Sequence, residues 1–126
     1  MEKKSEDQAS IQSHLYSLFV PQEILNSFTI VSIEEKDEDL FIYLVEKEDC
    51  IPEDKSLDLV QNGYMNPIEL NSFPVVGKCC FLRLTRRKWK IRGSNGSKSY
   101  TNTYDFALEG TKATKLFGSF LKEFGL

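Results

Sequence analysis

The stretch CCFLRLTRRKWKIRG, residues 79–93, places the strongest constraint on the fold. Cys80, Leu82 and Leu84 share one parity of an extended strand, and that parity continues into Arg86, Lys88 and Lys90. One face cannot bury the first three side chains and then three cations. The strand must leave the core near Thr85, or a bulge must exchange its faces there. In both cases the basic residues lie beyond the body of the domain.

The flanking chain places this strand within an α+β domain. SFTIVSIEE and DLFIYLVEK alternate about the charged turn KDED, so they read as an antiparallel hairpin. Both parities of the second run are apolar (Leu40, Ile42 and Leu44 against Phe41, Tyr43 and Val45), which marks a central strand. LDLVQNG is ambiguous and is compatible with a single helical turn stopped by Gly63. YMNPIELNSF is extended, with Pro67 confining any strand there to an edge or bulge, and FPVVGK turns into the strand KCCFLRL.

Helical periodicity brackets these strands. Ile11, Leu15, Leu18 and Phe19 recur on one helical face, Asp7 or Ser10 can cap it, and Pro21 ends it. Ala113, Leu116, Phe117, Phe120, Leu121 and Phe124 form a second apolar face, read as core, with Thr111 as N-cap and Gly125 past the end. The expected architecture is a single α+β domain over 1–126. It has a mainly antiparallel sheet, an amino-terminal and a carboxy-terminal helix, and a projecting basic hairpin built from RKWKIR and YTNTYDF. Residues 1–8 are expected to be disordered, and GSNGSKS, 93–99, to form a flexible tip.

Charge is distributed as unevenly as hydrophobicity. Residues 1–70 carry sixteen acids and five lysines; residues 71–126 carry eleven Lys and Arg and three acids, so −11 and +8 make up the net −3. From Lys78 to Arg92 there are seven cations and no acid. A basic ribbon on an otherwise acidic body suits nucleic acid. Arginine forks phosphate or guanine edges, lysine supplies point charge, and a two-stranded ribbon fits the major groove. Two other readings stand beside this one: a solvated strand face, and pairing with acids of the same chain or of a partner protein, such as those at 34–39 and 46–54.

Enzyme chemistry finds little support. With His14 as the only histidine, a histidine-based triad or a two-histidine zinc site is excluded. Cys50, Cys79 and Cys80 are odd in number, and an adjacent pair on a strand points to opposite faces, so they read as small core residues rather than a disulfide or metal clamp. Glu34, Glu35, Asp37 and Asp39 lie in a turn without an organised donor and read as solvated acids. No apolar run reaches the ~18 residues of a membrane span, and MEKKSEDQAS lacks a signal-peptide core. A soluble cytoplasmic protein without metal or cofactor is expected.

FPVVGKCCFLRLTRRKWK resembles the amino-terminal region of a group of bacterial insertion-sequence transposases, in which a Phe-Pro turn and a Gly-Lys precede a strand ending in an Arg-Arg-aromatic run. ALEGTKATKLFGSFLKEF is similar to the segment that follows, and LFVPQEILNSFTIVSIEEKDEDLFIYLVEKED to the one before, so the resemblance covers most of the chain. In the broader group this region carries paired zinc cysteines ahead of a helix-turn-helix and an RNase-H-like catalytic domain. Here Ile91-Arg92-Gly93-Ser94 stands where a finger's cysteines would follow, leaving Trp89, Tyr100, Tyr104 and Phe106 to hold the hairpin by packing.

The resemblance implies a non-catalytic, zinc-free amino-terminal region, either a short first reading frame or a piece of a longer product. It would bind DNA at the element's ends and work with a catalytic transposase subunit. The expected DNA contacts are Arg83, Arg86, Arg87, Lys88, Trp89, Lys90, Arg92 and Lys98, with Lys112 and Lys115 as secondary candidates. The alternative is a protein-interaction module that docks a catalytic subunit, or a second copy of itself, without touching DNA.

Overall fold

The structure, a computed structural model, describes residues 11, 14–15, 17–52 and 57–125. The expected disordered segment 1–8 and the caps Asp7 and Ser10 lie outside the described residues. The fold is α+β with strands mostly antiparallel, as expected. Ile11, His14, Leu15 and Ser17 are helical, and a short helix α1, Gln22–Leu25, follows Pro21. Then come β1 (Phe28–Lys36), β2 (Asp39–Glu46), β3 (Leu59–Tyr64), β4 (Ile68–Val75), β5 (Lys78–Thr85), β6 (Arg87–Ile91) and α2 (Lys115–Glu123).

Four strands form one sheet in the order β1-β2-β5-β4. β1 and β2 are the expected hairpin, and β2 is interior, as its two apolar faces imply. β2 and β5 run parallel, with Leu40 beside Cys80 and Ile42 beside Leu82. β4 starts directly after Pro67 and is the last strand of the order, where a proline costs no ladder bond. The inner face buries Phe28, Leu40, Ile42, Leu44, Leu70, Cys80, Leu82 and Leu84 beneath Val20 and Ile24. Burying a side chain of this size contributes about 1.5–3 kcal/mol.

β5 ends at Thr85, and the basic run leaves the main sheet there, the first of the two outcomes that its parity allowed. It enters a separate two-stranded sheet with β3. LDLVQNG is therefore a strand rather than a helical turn. Its Gly63 takes φ 86° beside a bulge between Gln61 and Tyr64. The expected hairpin of 87–92 with 100–106 narrows to one antiparallel pair: Trp89 N–H donates to the Tyr100 carbonyl at 2.9 Å, and the Trp89 carbonyl accepts the reciprocal bond from Tyr100 N–H at 2.8 Å. The rest of 100–106 turns to the core instead, where the Tyr104 and Phe106 rings meet Phe28 edge-on.

The carboxy-terminal helix is present, capped by Thr114, whose hydroxyl accepts from Phe117 N–H, rather than by Thr111. Its apolar face is only partly core. Ala113 and Gly118 are buried and Phe117 and Leu121 are half-buried, but Leu116, Phe120 and Phe124 are exposed. The expectation that all six apolar positions are core is corrected on this point. The helix docks through the Thr114–Gly118 side against Leu108, too narrow a seat for so wide a stripe.

Candidate nucleic-acid interface

β6 carries the expected cluster, and its alternation sorts the side chains. Trp89 is buried, whereas Lys88 and Lys90 share the opposite parity. Lys88 extends across Gly63 of β3, where a β-carbon would stand 3.8 Å from its Cε. Lys90 runs beneath the 93–99 loop, and its ammonium donates to the Ser94 carbonyl at 3.2 Å. Gly96 closes that loop with φ 78°, and a β-carbon there would press on Asn62 Nδ2 at 2.9 Å and Lys90 Cδ at 3.6 Å. The loop can lie this close to β3 and β6 only because residue 96 has no side chain.

The guanidinium groups are largely committed inside the protein. Arg83 Nε donates to Glu69 Oε1 at 2.9 Å, and its guanidinium covers the Phe41 ring at 4.5 Å. The hydrogen bond to Glu69 pushes the Arg83 pKa up, against a smaller opposing effect of burial. Arg92 pairs with Asp58 at 2.8 Å and Lys115 with Asp105 at 3.3 Å. Arg86 Nη1 donates to the Asn102 carbonyl at 2.9 Å.

Among the described residues the Arg87 guanidinium reaches no side-chain carboxylate. Nε donates to the backbone carbonyl of Glu46 at 2.7 Å and Nη1 to Gln61 Oε1 at 2.6 Å, with the group over the exposed Tyr64 ring at 5.6 Å. Lys98 lies over Tyr100, 5.3 Å from the ring centroid.

The ten expected contacts therefore divide. Arg83, Arg92 and Lys115 are neutralised by their own acids. Lys88, Lys90, Lys98 and Lys112 have no carboxylate within ion-pair reach among the described residues. Trp89 is a correction: at 6% exposure it cannot stack on a base and serves as the buried anchor of the small sheet, its indole N–H without a hydrogen-bond partner among the described residues. Lys112 and Lys115 sit at the entry to α2, apart from the β6 group.

Tyr64 and Tyr100 escaped the sequence reading as site residues. Their signal is an aromatic residue close to a cation: for Tyr64 it is visible only once β3 is known to pair with β6, whereas Lys98 and Tyr100 stand two residues apart in the chain.

One polar cluster ties this sheet to the main one. Glu46, fully buried at the end of β2, accepts from Arg87 N–H at 3.0 Å, from Asn102 Nδ2 at 3.0 Å and from the Tyr104 hydroxyl. Burial first, and then the bond to Glu46, push the Tyr104 phenol well above its ordinary pKa. A shallow cavity of about 760 Å³, lined by Cys50, Tyr100, Asn102 and Tyr104 among others, opens beside this cluster. Among the described residues no three His, Cys, Asp or Glu side chains converge as a metal site would require, and no helix is long and apolar enough to cross a membrane.

Comparison with protein-family models, with curated proteins and with solved structures finds no match for the chain.

Proposed function

We propose that this chain is a non-catalytic amino-terminal region of an insertion-sequence transposase, and that it holds DNA by its phosphates at the element's ends. It acts in the cytoplasm alongside a catalytic subunit. The observation that carries the DNA reading is the lysine strip of the small sheet. Lys88 and Lys90 lie on one side of β6, with Lys98 on the adjoining loop, and among the described residues no carboxylate pairs with any of them. Arg87, over Tyr64, lies on the opposite side of β6 with Trp89 and is not part of the strip. The resemblance of FPVVGKCCFLRLTRRKWK and ALEGTKATKLFGSFLKEF to transposase amino-terminal regions supports the biological setting.

The chemistry favours positioning over base reading. Forked recognition of guanine needs an uncommitted guanidinium, and Arg83, Arg86 and Arg92 are already engaged by protein acceptors. Lysines contribute charge to the sugar-phosphate backbone and release counterions as they bind.

Binding of the full chain to a fluorescein-labelled duplex, followed by anisotropy at several salt concentrations, tests the proposal. Contacts from the three lysines give a slope of roughly −2.7 in log K against log salt, and their removal flattens it to near zero. The variant Lys88→Ala/Lys90→Ala/Lys98→Ala should lose at least about tenfold in affinity at low salt, whereas Arg83→Ala should bind as the wild type does. Absence of wild-type binding at low salt, or equal binding by the triple variant, overturns the proposal.

A further inference from the structure

Two apolar surfaces of this molecule lack a cover among the described residues, and they complement each other. The first is the outward stripe of α2. Leu116, Phe120 and Phe124 recur at i, i+4 and i+8, with Leu116 68% and Phe124 64% exposed. Phe73 of β4 extends the stripe, meeting Phe117 and Phe120 edge-on at 5.2 and 5.5 Å. A helix that docks by one side and presents such a row on another is built as a groove ligand.

The second surface is a groove of about 470 Å³ lined by Leu15, Phe19, Leu40, Val75 and Val76, with Glu35 and Lys78 at its rim. Val76 stands out there. It is 93% exposed and holds φ 49° in the two-residue turn between β4 and β5, followed by Gly77 at φ 79°. Such a turn favours Asn-Gly, and a β-branched residue in the left-handed region is strained. An exposed valine at a strained position carries a conformational cost, which points to a use for its apolar side chain.

Charge matches the two surfaces. Lys112 and Lys122 accompany α2, against Glu123, while Lys115 is taken up by Asp105. The end of the sheet that carries the groove bears Glu34, Glu35, Asp37, Glu38 and Asp39, against Lys36 and Lys78. Both surfaces also flank β4: Phe73 touches the helix, and Val75, two residues on, lines the groove. We infer that a second copy of this chain is the occupant, each copy laying its α2 stripe in the other's groove about a two-fold axis. Sites this close on one strand allow the exchange to be mutual, so the contact closes as a dimer rather than growing into a filament. The inference does not depend on DNA binding.

The test uses full-length chains in sedimentation equilibrium. Wild type should be dimeric at micromolar concentration. Leu116→Asp/Phe124→Asp alters only exposed positions and should weaken association at least about thirtyfold, as loss of a buried anchor does. Val76→Asn should weaken it equally while raising thermal stability, so that loss of association cannot be loss of fold. Mixed, the two variants should form a heterodimer, because one intact helix meets one intact groove. A monomeric wild type, a Val76→Asn variant that associates like wild type, or a mixture that stays monomeric each overturns the inference.

Discussion

Arg87 is bound to Glu46 twice, once through each part of both residues. Its backbone N–H donates to the Glu46 carboxylate at 3.0 Å, and its Nε donates to the Glu46 carbonyl at 2.7 Å. Because Glu46 closes β2 and Arg87 opens β6, this pair is the joint between the two sheets. The side chain with the strongest appearance of a DNA-binding arginine thus spends much of its hydrogen-bonding capacity holding the fold together.

Removing the carboxylate should therefore cost more than any surface change. Glu46→Ala leaves the Arg87 N–H and the Tyr104 hydroxyl without their acceptor and Asn102 with only the Cys50 carbonyl. A loss of about 3–5 kcal/mol is expected in urea unfolding, because buried donors then lack partners. Tyr104→Phe, which deletes one donor and keeps the ring against Phe28, should cost about 1–2 kcal/mol. A loss below 1 kcal/mol for Glu46→Ala would show that the joint is not where the two sheets are held.

Stability should fall on the alkaline side. Burial pushes the Cys80 thiol up to about 11, so the native state keeps a proton that the unfolded chain releases near pH 9. The unfolded state then binds fewer protons, and stability declines as pH rises from about 9 to 11, while below about pH 8 this contribution is complete. The decline amounts to about 2–3 kcal/mol. The half-buried Tyr104 phenol adds to the same trend above the ordinary tyrosine range. Urea midpoints measured from pH 7.5 to 10.5 should fall steadily, and Cys80→Ala should flatten the slope. Parallel slopes for variant and wild type would remove Cys80 from the account.

Gly118 lies at the close approach of α2. A β-carbon there would meet Leu108 Cδ2 at 2.8 Å and Leu108 Cβ at 2.9 Å, and the second atom is tied to the backbone and cannot swing away. Alanine is favoured over glycine in a helix by about 1 kcal/mol, yet Gly118→Ala should lose about 1–2 kcal/mol net, because overpacking outweighs propensity. In a Leu108→Gly background, which removes both of these atoms, the same change should become stabilising by about 0.5–1 kcal/mol. Thermal denaturation of the four chains reads the reversal of sign directly.

The sequence made the central strands legible because their local pattern and their tertiary role agree. Leu40 to Val45 is apolar on both parities and becomes an interior strand. Cys80, Leu82 and Leu84 share a parity and are buried together, and the cations that follow leave the sheet. β3 was not legible, because Gln61, Asn62 and Gly63 give it no apolar alternation. Its strand character comes from pairing with β6 across a long separation in the chain.

The same distance hid the fate of the arginines. Glu69 and Asp58 are remote in sequence from Arg83 and Arg92, and only the register of β4 on β5 and the β3–β6 pairing bring them together. The wide apolar arc of α2 could not reveal which part would be covered. Gly118, a glycine inside an otherwise good helix, was the available sign of where close contact would occur.

The parallel pairing of β2 with β5 also governs how this protein can be made. Residues 39–45 acquire their second neighbour only after residues 79–85 have left the ribosome. Until then the first hairpin is a nascent two-stranded ribbon with the bare backbone of Leu40 to Val45 along one side. Parallel closure across so long an interval is slow, and an incomplete sheet of this kind readily pairs with its neighbours. Synthesis that stalls between these two segments should therefore yield insoluble product, and a pause after residue 85 should yield material that can still reach its native form.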